Sequence, residues 1–559
     1  MTTRSKTDSL KPKFFPGYHL YYSTKHPPIA LHAVTHEIEP FSYSKAAADS
    51  RWKEAMQQEF DALISNGTWS LCPRLQNQNV IHNKWVYRIK QKSDCTIDRF
   101  KARLVAKGFE QQSGIDYTKT FSPVIKPSTI RILLALAVNF SWPIRQLDVS
   151  NAFLHGSLME EVFMEQPQGF TDAIHPHYVC KLHKAIYGLK QAPRAWFNRF
   201  SSFLLDIGFK ASLVDSSLFL FHSGRIHLFM LIYVDDIIIT GTHPAAVQSV
   251  ILKLQQEFPV KDLGPLNFFL GIQVQRTDQG LHLCQAKYVS DLLHRVRMLG
   301  AKPSKSHCPA GSKLSKFDGE LLEDPTADRH IVGALQYCTL TRPDIAFSVN
   351  QLCQHIHAPT SSHWSAAKRV LRYLKGTIDH GLAYIKGNLN LMAYCDLDWA
   401  SSPDDRRSTS GLGVFLGNCL VSWSAKKQAV VARSSTEAEY RSMAIATAEL
   451  YWLRMLFKEL CIPLLSAPVI WCDNVSALAL ASNPVYHART KHIEVDYHFI
   501  REKVVNKDIL VKFISTKNQI ADVFTKGLPS TRFVELKAKL MVRPPPMCLR
   551  GGVSDVSVV

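Results

Sequence analysis

The chain reads as an α+β fold followed by an α/β unit, and three observations predict this. Over residues 50–290, apolar stretches of strand length are interspersed with amphipathic helices. One of those stretches, Leu228 to Thr240, contains Tyr233-Val234-Asp235-Asp236, the pattern of a hairpin that carries two adjacent carboxylates. From Leu391 the pattern changes to three successive strands and then alternating helix and strand, which predicts a mixed sheet with helices packed on it.

Residues 1–48 are polar, contain Pro27-Pro28 and show little periodicity, so a flexible leader is expected. Trp52, Met56, Phe60 and Leu63 share one helical face, and Asn66-Gly67 stops that helix. Two strands follow, Lys84 to Lys90 and Arg99 to Lys107. In the second, Phe100, Ala102, Leu104 and Ala106 alternate with Arg99, Lys101, Arg103 and Lys107, which puts basic groups on one strand face. Such a face suits either a solvated edge or a grip on phosphate. Ser128 or Thr129 can cap an apolar helix through Val138, and a short strand, Ile144 to Val149, carries Asp148 near its end. Pro193 opens a helix with Trp196, Phe197, Phe200, Phe203 and Leu204, an aromatic stripe that reads as core, and Gly208 closes it.

After the Leu228–Thr240 hairpin come a helix to Phe258 and a second hairpin, Leu266 to Leu283, turning near Asp278-Gln279-Gly280. Residues 284–390 are helical and basic; Lys368, Arg369, Arg372 and Lys375 share a helix ending at Gly376, as either a phosphate-tracking face or an ordinary charged surface. The C-terminal unit has strands Leu391 to Cys395, Gly413 to Leu416 and Leu420 to Trp423, then a helix from about Ser435 to Leu460. Strand Val469 to Trp471, two helices, strand Ile509 to Ile514 and a helix near Gln519 complete it. The expected division is a leader over 1–48, units over 49–290, 291–390 and 391–530, and a fraying tail over 531–559.

Composition narrows the partners. The 559 residues carry a formal net charge of +19, from 66 Lys and Arg against 47 Asp and Glu, which favours a polyanion such as nucleic acid. No stretch reaches the roughly 18 unbroken apolar residues of a membrane span, and no apolar signal segment opens the chain. The 12 cysteines include no Cys-x-x-Cys pair, so reduced thiols in an intracellular setting, cytoplasmic or nuclear, are expected. His355 and His357 lack cysteines at metal-ligand spacing, so a structural zinc is not expected.

Chemistry enters with the acids. Burying Asp235 and Asp236 unpaired would be costly, and bound cations are the usual compensation. If the strand bearing Asp148 neighbours that hairpin, three carboxylates converge and suit two Mg2+ ions roughly 3.5–4 Å apart, a site for in-line phosphoryl transfer. In the C-terminal unit, Asp396, Glu437 or Glu439, Asp473 and Asp522 arrive from separate elements and would repel one another without cations.

Seven segments, in order, make the reading specific. They are Arg103–Phe109 (RLVAKGF), Gln146–Gly156 (QLDVSNAFLHG), Tyr187–Phe197 (YGLKQAPRAWF), Tyr233–Asp236, Phe269–Gly271 (FLG), Thr341–Asp344 (TRPD) and Asp405–Gly411 (DRRSTSG). Over about residues 50–530 the chain resembles the Pol region of copia-type LTR retrotransposons, a reverse transcriptase joined to a ribonuclease H. The resemblance implies a right-hand polymerase with fingers and palm over 49–290 and thumb or connection over 291–390, followed by an α/β ribonuclease H-like domain. It implies Asp148, Asp235 and Asp236 as polymerase metal ligands, and Phe153 beneath the incoming sugar, where it excludes a 2′-hydroxyl. Lys101 and Arg103 would lie near the triphosphate, Gln191 near nucleotide and template, and Phe269, Leu270 and Gly271 would form the primer grip.

In the second site the resemblance implies Asp396, Glu439, Asp473 and Asp522 as ligands. Glu439 is preferred to Glu437 because Tyr440 and Met443-Ala444 follow it on an apolar face, and Asp396 to Asp398 because it directly follows the strand. Many retroviral ribonuclease H domains carry a histidine loop before the last acid; Ser515–Gln519 (STKNQ) has no histidine there. Arg489–Ile493 is usual for the family and receives no catalytic role.

Implied cofactors are Mg2+, two ions per site, or Mn2+ in its place. Implied partners are an RNA template, a DNA primer, RNA–DNA hybrid and dNTPs, with no membrane. A second reading, a silent relic that binds nucleic acid without turnover, stays open, because no protease Asp-Ser/Thr-Gly unit, capsid region or integrase zinc pattern accompanies these segments. An Mg-dependent nuclease with an inert polymerase half is a weaker third reading.

Overall fold

The computed structural model describes residues 39–91, 97–482 and 493–546. Its central feature is a six-stranded sheet in the order Val260–Pro265, Ile144–Val149, Asp236–Gly241, Ile226–Tyr233, Leu218–Ser223, Lys210–Ala211. Every pairing in it is antiparallel. Both faces of the middle strands are covered, which is why they read as continuous apolar runs. Leu228, Met230, Ile232, Ile237 and Ile239 pack with Trp196, Phe200 and Leu204 of the Ala192–Asp206 helix and with Ile251 and Leu254 of the Pro244–Glu257 helix. Phe229, Leu231 and Ile238 face the other way, toward Leu133 and Leu134 of the Pro127–Phe140 helix. The aromatic stripe on residues 196–204 is therefore core, as its spacing predicted.

The start of the Pro127–Phe140 helix differs from expectation. Pro127 occupies its first turn, where a missing N–H costs nothing, and no side chain caps it. Thr129 instead hydrogen-bonds Asp215, and Ser128 reaches Ser422 of the C-terminal unit.

A two-stranded hairpin, Asn83–Gln91 against Ile97–Ala106, stands beside the central sheet. The Ser50–Ser65 helix packs on its apolar face through Trp52, Met56 and Leu63, with Trp52 edge-on to Phe100 at 4.8 Å. The expected leader needs correction at its end: Tyr43–Ala46 is helical, Ala46 is buried, and Glu39 pairs with Arg88 at 2.6 Å. Residues 1–38 lie outside the described residues.

Between the two acid sites run the helices Ala286–Arg295, Thr326–Cys338, Ala346–Gln354 and Ser361–Lys375. The basic residues of the last helix are largely used inside the protein. Arg369 donates to Ser306 Oγ (3.1 Å), Arg372 to the Lys302 carbonyl (2.8 Å), Lys375 to the Ala301 carbonyl (2.6 Å), and Lys368 lies over Trp364. The 301–306 segment thus accepts a hydrogen bond from each of Arg369, Arg372 and Lys375.

Arg342 and Asp344 form a fully buried ion pair at 2.8 Å, extended by Tyr373 Oη donating to Asp344 and by Arg342 donating to Thr377. Arg342→Ala strands a buried carboxylate, so it should lower stability by about 3–5 kcal/mol, read as an earlier urea unfolding midpoint.

A five-stranded sheet then joins distant parts of the chain, in the order Phe268–Phe269, Ile272–Thr277, Gly280–Cys284, Gly381–Ile385, Val542–Arg543. The expected tail is thus corrected over its first part. Ser530–Lys539 is a helix with Phe533 and Leu536 buried, and Arg543 pairs with Gly381. Phe533, Leu536 and Leu540 stand at helical spacing and are buried, and Val542 and Arg543 pair with the Gly381–Ile385 strand.

The C-terminal sheet runs Cys419–Lys427, Thr409–Leu416, Leu391–Asp398, Val469–Cys472, Leu510–Phe513. The first three strands are antiparallel and the last two parallel to the third. The 25-residue Ser435–Glu459 helix, capped by Ser434 on the Glu437 N–H, lies on this sheet through Tyr440, Met443, Leu450 and Leu453. Among the described residues no helix is long and apolar enough to cross a membrane.

Candidate active sites

The first site is built by strand pairing. Asp148 stands directly opposite Asp236 on adjacent antiparallel strands, so both side chains leave the same sheet face. Asp235 sits in the turn, where Val234 adopts a left-handed conformation (φ 55°) and the Asp235 carbonyl accepts from the Val149 N–H at 3.0 Å. A β-branched residue at positive φ is strained, so something must hold the turn. Trp196 does so: its indole N–H donates to the Val234 carbonyl at 2.7 Å. The sequence assigned Trp196 to the core; only its indole hydrogen bond reveals the second task.

Burial and then the Asp235 charge raise the Asp148 carboxyl above the ordinary range. Burial, Asp235 and Asp148 push Asp236 up to about 6. A hard, oxygen-only set of mutually repelling acids fits divalent cations. Lys101, Lys261 and Lys90 supply the opposing charge around Asp148.

The basic strand faces this site. The Arg103 guanidinium lies over the Tyr187 ring at 4.4 Å, and Tyr187 meets Phe153 edge-on at 5.0 Å. Burial, Arg103 and Arg99 lower the Lys101 ammonium. Glu59, an acid on the Ser50–Ser65 helix that the sequence did not single out, is raised chiefly by burial and balances both bases. Gln191 is placed differently from expectation. It is 3% exposed, donates to the Asp116 carbonyl at 2.7 Å and accepts from Gln111 at 3.0 Å. Its amide is engaged by Gln111 and Asp116 of the 108–117 loop.

Phe269, Leu270 and Gly271 form a tight turn, with Phe269 buried and φ of 48° at Leu270 and 74° at Gly271. Tyr337 Oη donates to the Leu270 carbonyl at 2.7 Å, and a Cβ on Gly271 would stand 1.9 Å from Tyr337 Oη. Tyr337 lies in the last turn of the Thr326–Cys338 helix and carries no sequence signal for this role.

The second site gathers acids from three elements. Asp396 lies inside the Leu391–Asp398 strand, which continues two residues past it instead of ending at Cys395 as expected; Glu439 projects from the long helix and Asp473 follows the parallel strand, and each offers an oxygen within 4.8 Å of the others. Glu437 is elsewhere: it accepts from the Arg433 N–H and pairs with Arg441 at 3.1 Å. Asp398 is 3.8 Å from Lys313. Burial raises the Asp396 carboxyl to about 7 despite Lys526, and burial, Cys472 and Asp396 raise Glu439 to about 11. Where a retroviral histidine loop would lie, Thr516 donates to Asp473 at 3.0 Å. These three acids fit a divalent cation.

Asp522 does not join the cluster. Its Oδ1 is 2.9 Å from Lys526 Nζ, which also approaches Asp396 Oδ2 at 3.2 Å. Lys526 went unremarked in the sequence, although its i,i+4 spacing from Asp522 is a legible signal. Of the Arg489–Ile493 segment, residues 489–492 lie outside the described residues.

Acids raised in the folded state hold protons that the unfolded chain has released. Metal-free protein should therefore lose stability as pH rises from the ordinary carboxylate range through the raised values near 6 and 7 of Asp236 and Asp396. Saturating Mg2+ should reduce that loss, seen by comparing urea midpoints in EDTA and in Mg2+ at about pH 5 and about pH 8.

With this geometry in place, kinship is informative. A family model described as reverse transcriptase (RNA-dependent DNA polymerase) matches residues 66–309. The retrovirus-related Pol polyprotein from transposon RE2 of Arabidopsis thaliana is 50% identical over 518 residues, 92% of this chain and 35% of that one. The corresponding polyprotein from transposon TNT 1-94 of Nicotiana tabacum is 38% identical over 526 residues, 91% of this chain and 39% of that one. An uncharacterized mitochondrial protein of Arabidopsis thaliana, AtMg00810, is 48% identical over 227 residues, 40% of this chain and 94% of that one. The chain spans little more than a third of the length of the Pol polyproteins it matches. It belongs to the copia-type retrotransposon Pol family and contains that family's reverse transcriptase domain.

Proposed function

We propose that the chain is an RNA-directed DNA polymerase that extends a DNA primer with dNTPs and also cleaves the RNA strand of RNA–DNA hybrids. The observation that carries the first activity is Asp148 paired directly with Asp236 beside the Asp235 turn, with Lys101 near them. The proposed division is fingers and palm over 49–290, thumb or connection over 291–390, and ribonuclease H over 391–530. Asp148, Asp235 and Asp236 would hold Mg2+, or Mn2+. Bound there, the ions would activate the primer hydroxyl and neutralise charge on the leaving pyrophosphate.

The chain's own side chains do the rest. Lys101 and Arg103 bind triphosphate oxygens, and Tyr187 fixes the Arg103 plane from below. Phe153, braced by Tyr187, meets the sugar at C2′. The Phe269–Gly271 turn, tied to the thumb through Tyr337, holds the primer end. In the second site, the convergence of Asp396, Glu439 and Asp473 supports hybrid cleavage by a metal-activated water. The hybrid is gripped through its backbone and shape, without sequence selection.

Primer extension on an RNA template by the purified chain, in Mg2+ and in EDTA, with 5′-labelled RNA to follow cleavage, tests the proposal. Metal-dependent extension and cleavage are expected. Tight hybrid binding without extension would leave a silent nucleic-acid binder. Phe153→Val should raise ribonucleotide incorporation relative to deoxynucleotide by about tenfold or more, because the steric block at C2′ shrinks; single-nucleotide incorporation with matched rNTP and dNTP measures it.

A further inference from the structure

We propose that Lys526 is a resident cation of the C-terminal acid site: its ammonium takes the place between Asp396 and Asp522, and leaves Asp396, Glu439 and Asp473 to a single divalent ion. This rests on reading that cluster as the ribonuclease H site, and it departs from two ions there.

Four acids drawn from separate elements need positive charge near them. Three of them meet within 4.8 Å, and Asp522 is not one of the three. Lys526 Nζ lies 2.9 Å from Asp522 Oδ1 and 3.2 and 3.5 Å from the two oxygens of Asp396. Thr525 Oγ1 donates to the same Asp396 Oδ2, and Arg532 approaches Asp522 Oδ2 at 3.9 Å. Asp396 thus belongs both to the group with Lys526 and Asp522 and to the group with Glu439 and Asp473.

The arrangement is built into the fold. The short Asp522–Thr525 helix lies directly on the Thr409–Leu416 strand, where a Cβ on Gly411 would stand 2.6 Å from Thr525 Cγ2. That close approach seats Thr525 and Lys526 over Asp396. An Asp396 oxygen already holding an ammonium and a hydroxyl has little capacity left for a second divalent ion. Such an ion at Asp522 would also stand against the Lys526 and Arg532 charges. The Lys526 side chain is 36% exposed.

The test counts ions and does not depend on turnover. The full chain carries Asp148→Asn, Asp235→Asn and Asp236→Asn to silence the polymerase acids. It is bound to a hybrid whose RNA strand is 2′-O-methylated and so resists cleavage. Mn2+ is titrated by electron paramagnetic resonance, and Asp473→Asn identifies the ions that belong to the C-terminal site. One ion lost with Asp473→Asn is expected. Lys526→Met should admit a second ion, and Lys526→Arg should keep one. Two ions, or none, at the site in the chain that retains Lys526 would overturn the proposal, as would a Lys526→Met protein that folds and still holds one. If Lys526→Met does not fold, the counts with Lys526 and with Lys526→Arg decide. Failure of the ribonuclease H reading shows separately, as no cleavage of unmodified hybrid by the parent chain whatever the ion count.

Discussion

Asp236→Asn is expected to lower deoxynucleotide incorporation by at least about 10³-fold while hybrid binding stays within a few-fold. The substitution keeps the size and shape of the side chain, so the strand pairing with Asp148 survives. What it removes is the negative charge that a divalent ion needs, at the acid whose carboxyl burial and two neighbouring carboxylates raise to about 6. Affinity for a polyanion should change little, because phosphate contacts come from basic groups elsewhere, and losing one acid next to bound nucleic acid cannot weaken them. Cleavage of hybrid RNA should persist, since Asp396, Glu439 and Asp473 belong to a different sheet. Primer extension, filter binding and RNA cleavage on one preparation separate these outcomes. Full extension by Asp236→Asn would rule out the metal-ligand role of the hairpin.

The elements that position the first site were legible because local rules agreed there. The hairpin after Ile226 is apolar and rich in β-branched residues, Ile144–Val149 carries Ile144, Leu147 and Val149 after Pro143, and both appear as strands. Their adjacency was legible only as a condition, since sequence periodicity says nothing about which strands pair. The strand Val260–Pro265 escaped notice because Asp262, Gly264 and Pro265 are turn and breaker residues, the marks of a loop.

The misreadings have a common cause. Arg369, Arg372 and Lys375 at helical spacing look solvent-facing, but a distant segment at 301–306 accepts a hydrogen bond from each. Gln191 lies beside a helix start and looks available, but Gln111 and Asp116 claim its amide. Val542 and Arg543 look frayed, but the Gly381–Ile385 strand pairs with them. In each case a partner far along the chain decides the role of the side chain or segment. Lys526 belongs with them: the i,i+4 pair with Asp522 is local, whereas the contact with Asp396 spans 130 residues.

Asp473→Asn is the complementary experiment, and it should stop RNA cleavage while primer extension continues at the parental rate. Asp473 is the suitable acid to change because it is only half-buried and follows the Val469–Cys472 strand, so neutralising it disturbs no packed core. It also relieves repulsion with Asp396 and Glu439, both raised by burial and by neighbouring acids, so the folded domain should not lose stability. The hydrogen bond from Thr516 can be kept by the amide oxygen. The lost function is therefore ligation, and cleavage should fall by at least about 10³-fold. Extension products made by this variant should remain paired to full-length template RNA, seen as labelled RNA of unchanged length on a denaturing gel. If Asp473→Asn instead lost extension and kept cleavage, the two acid sets could not be serving separate reactions, because the polymerase acids share no strand, helix or hydrogen bond with Asp473.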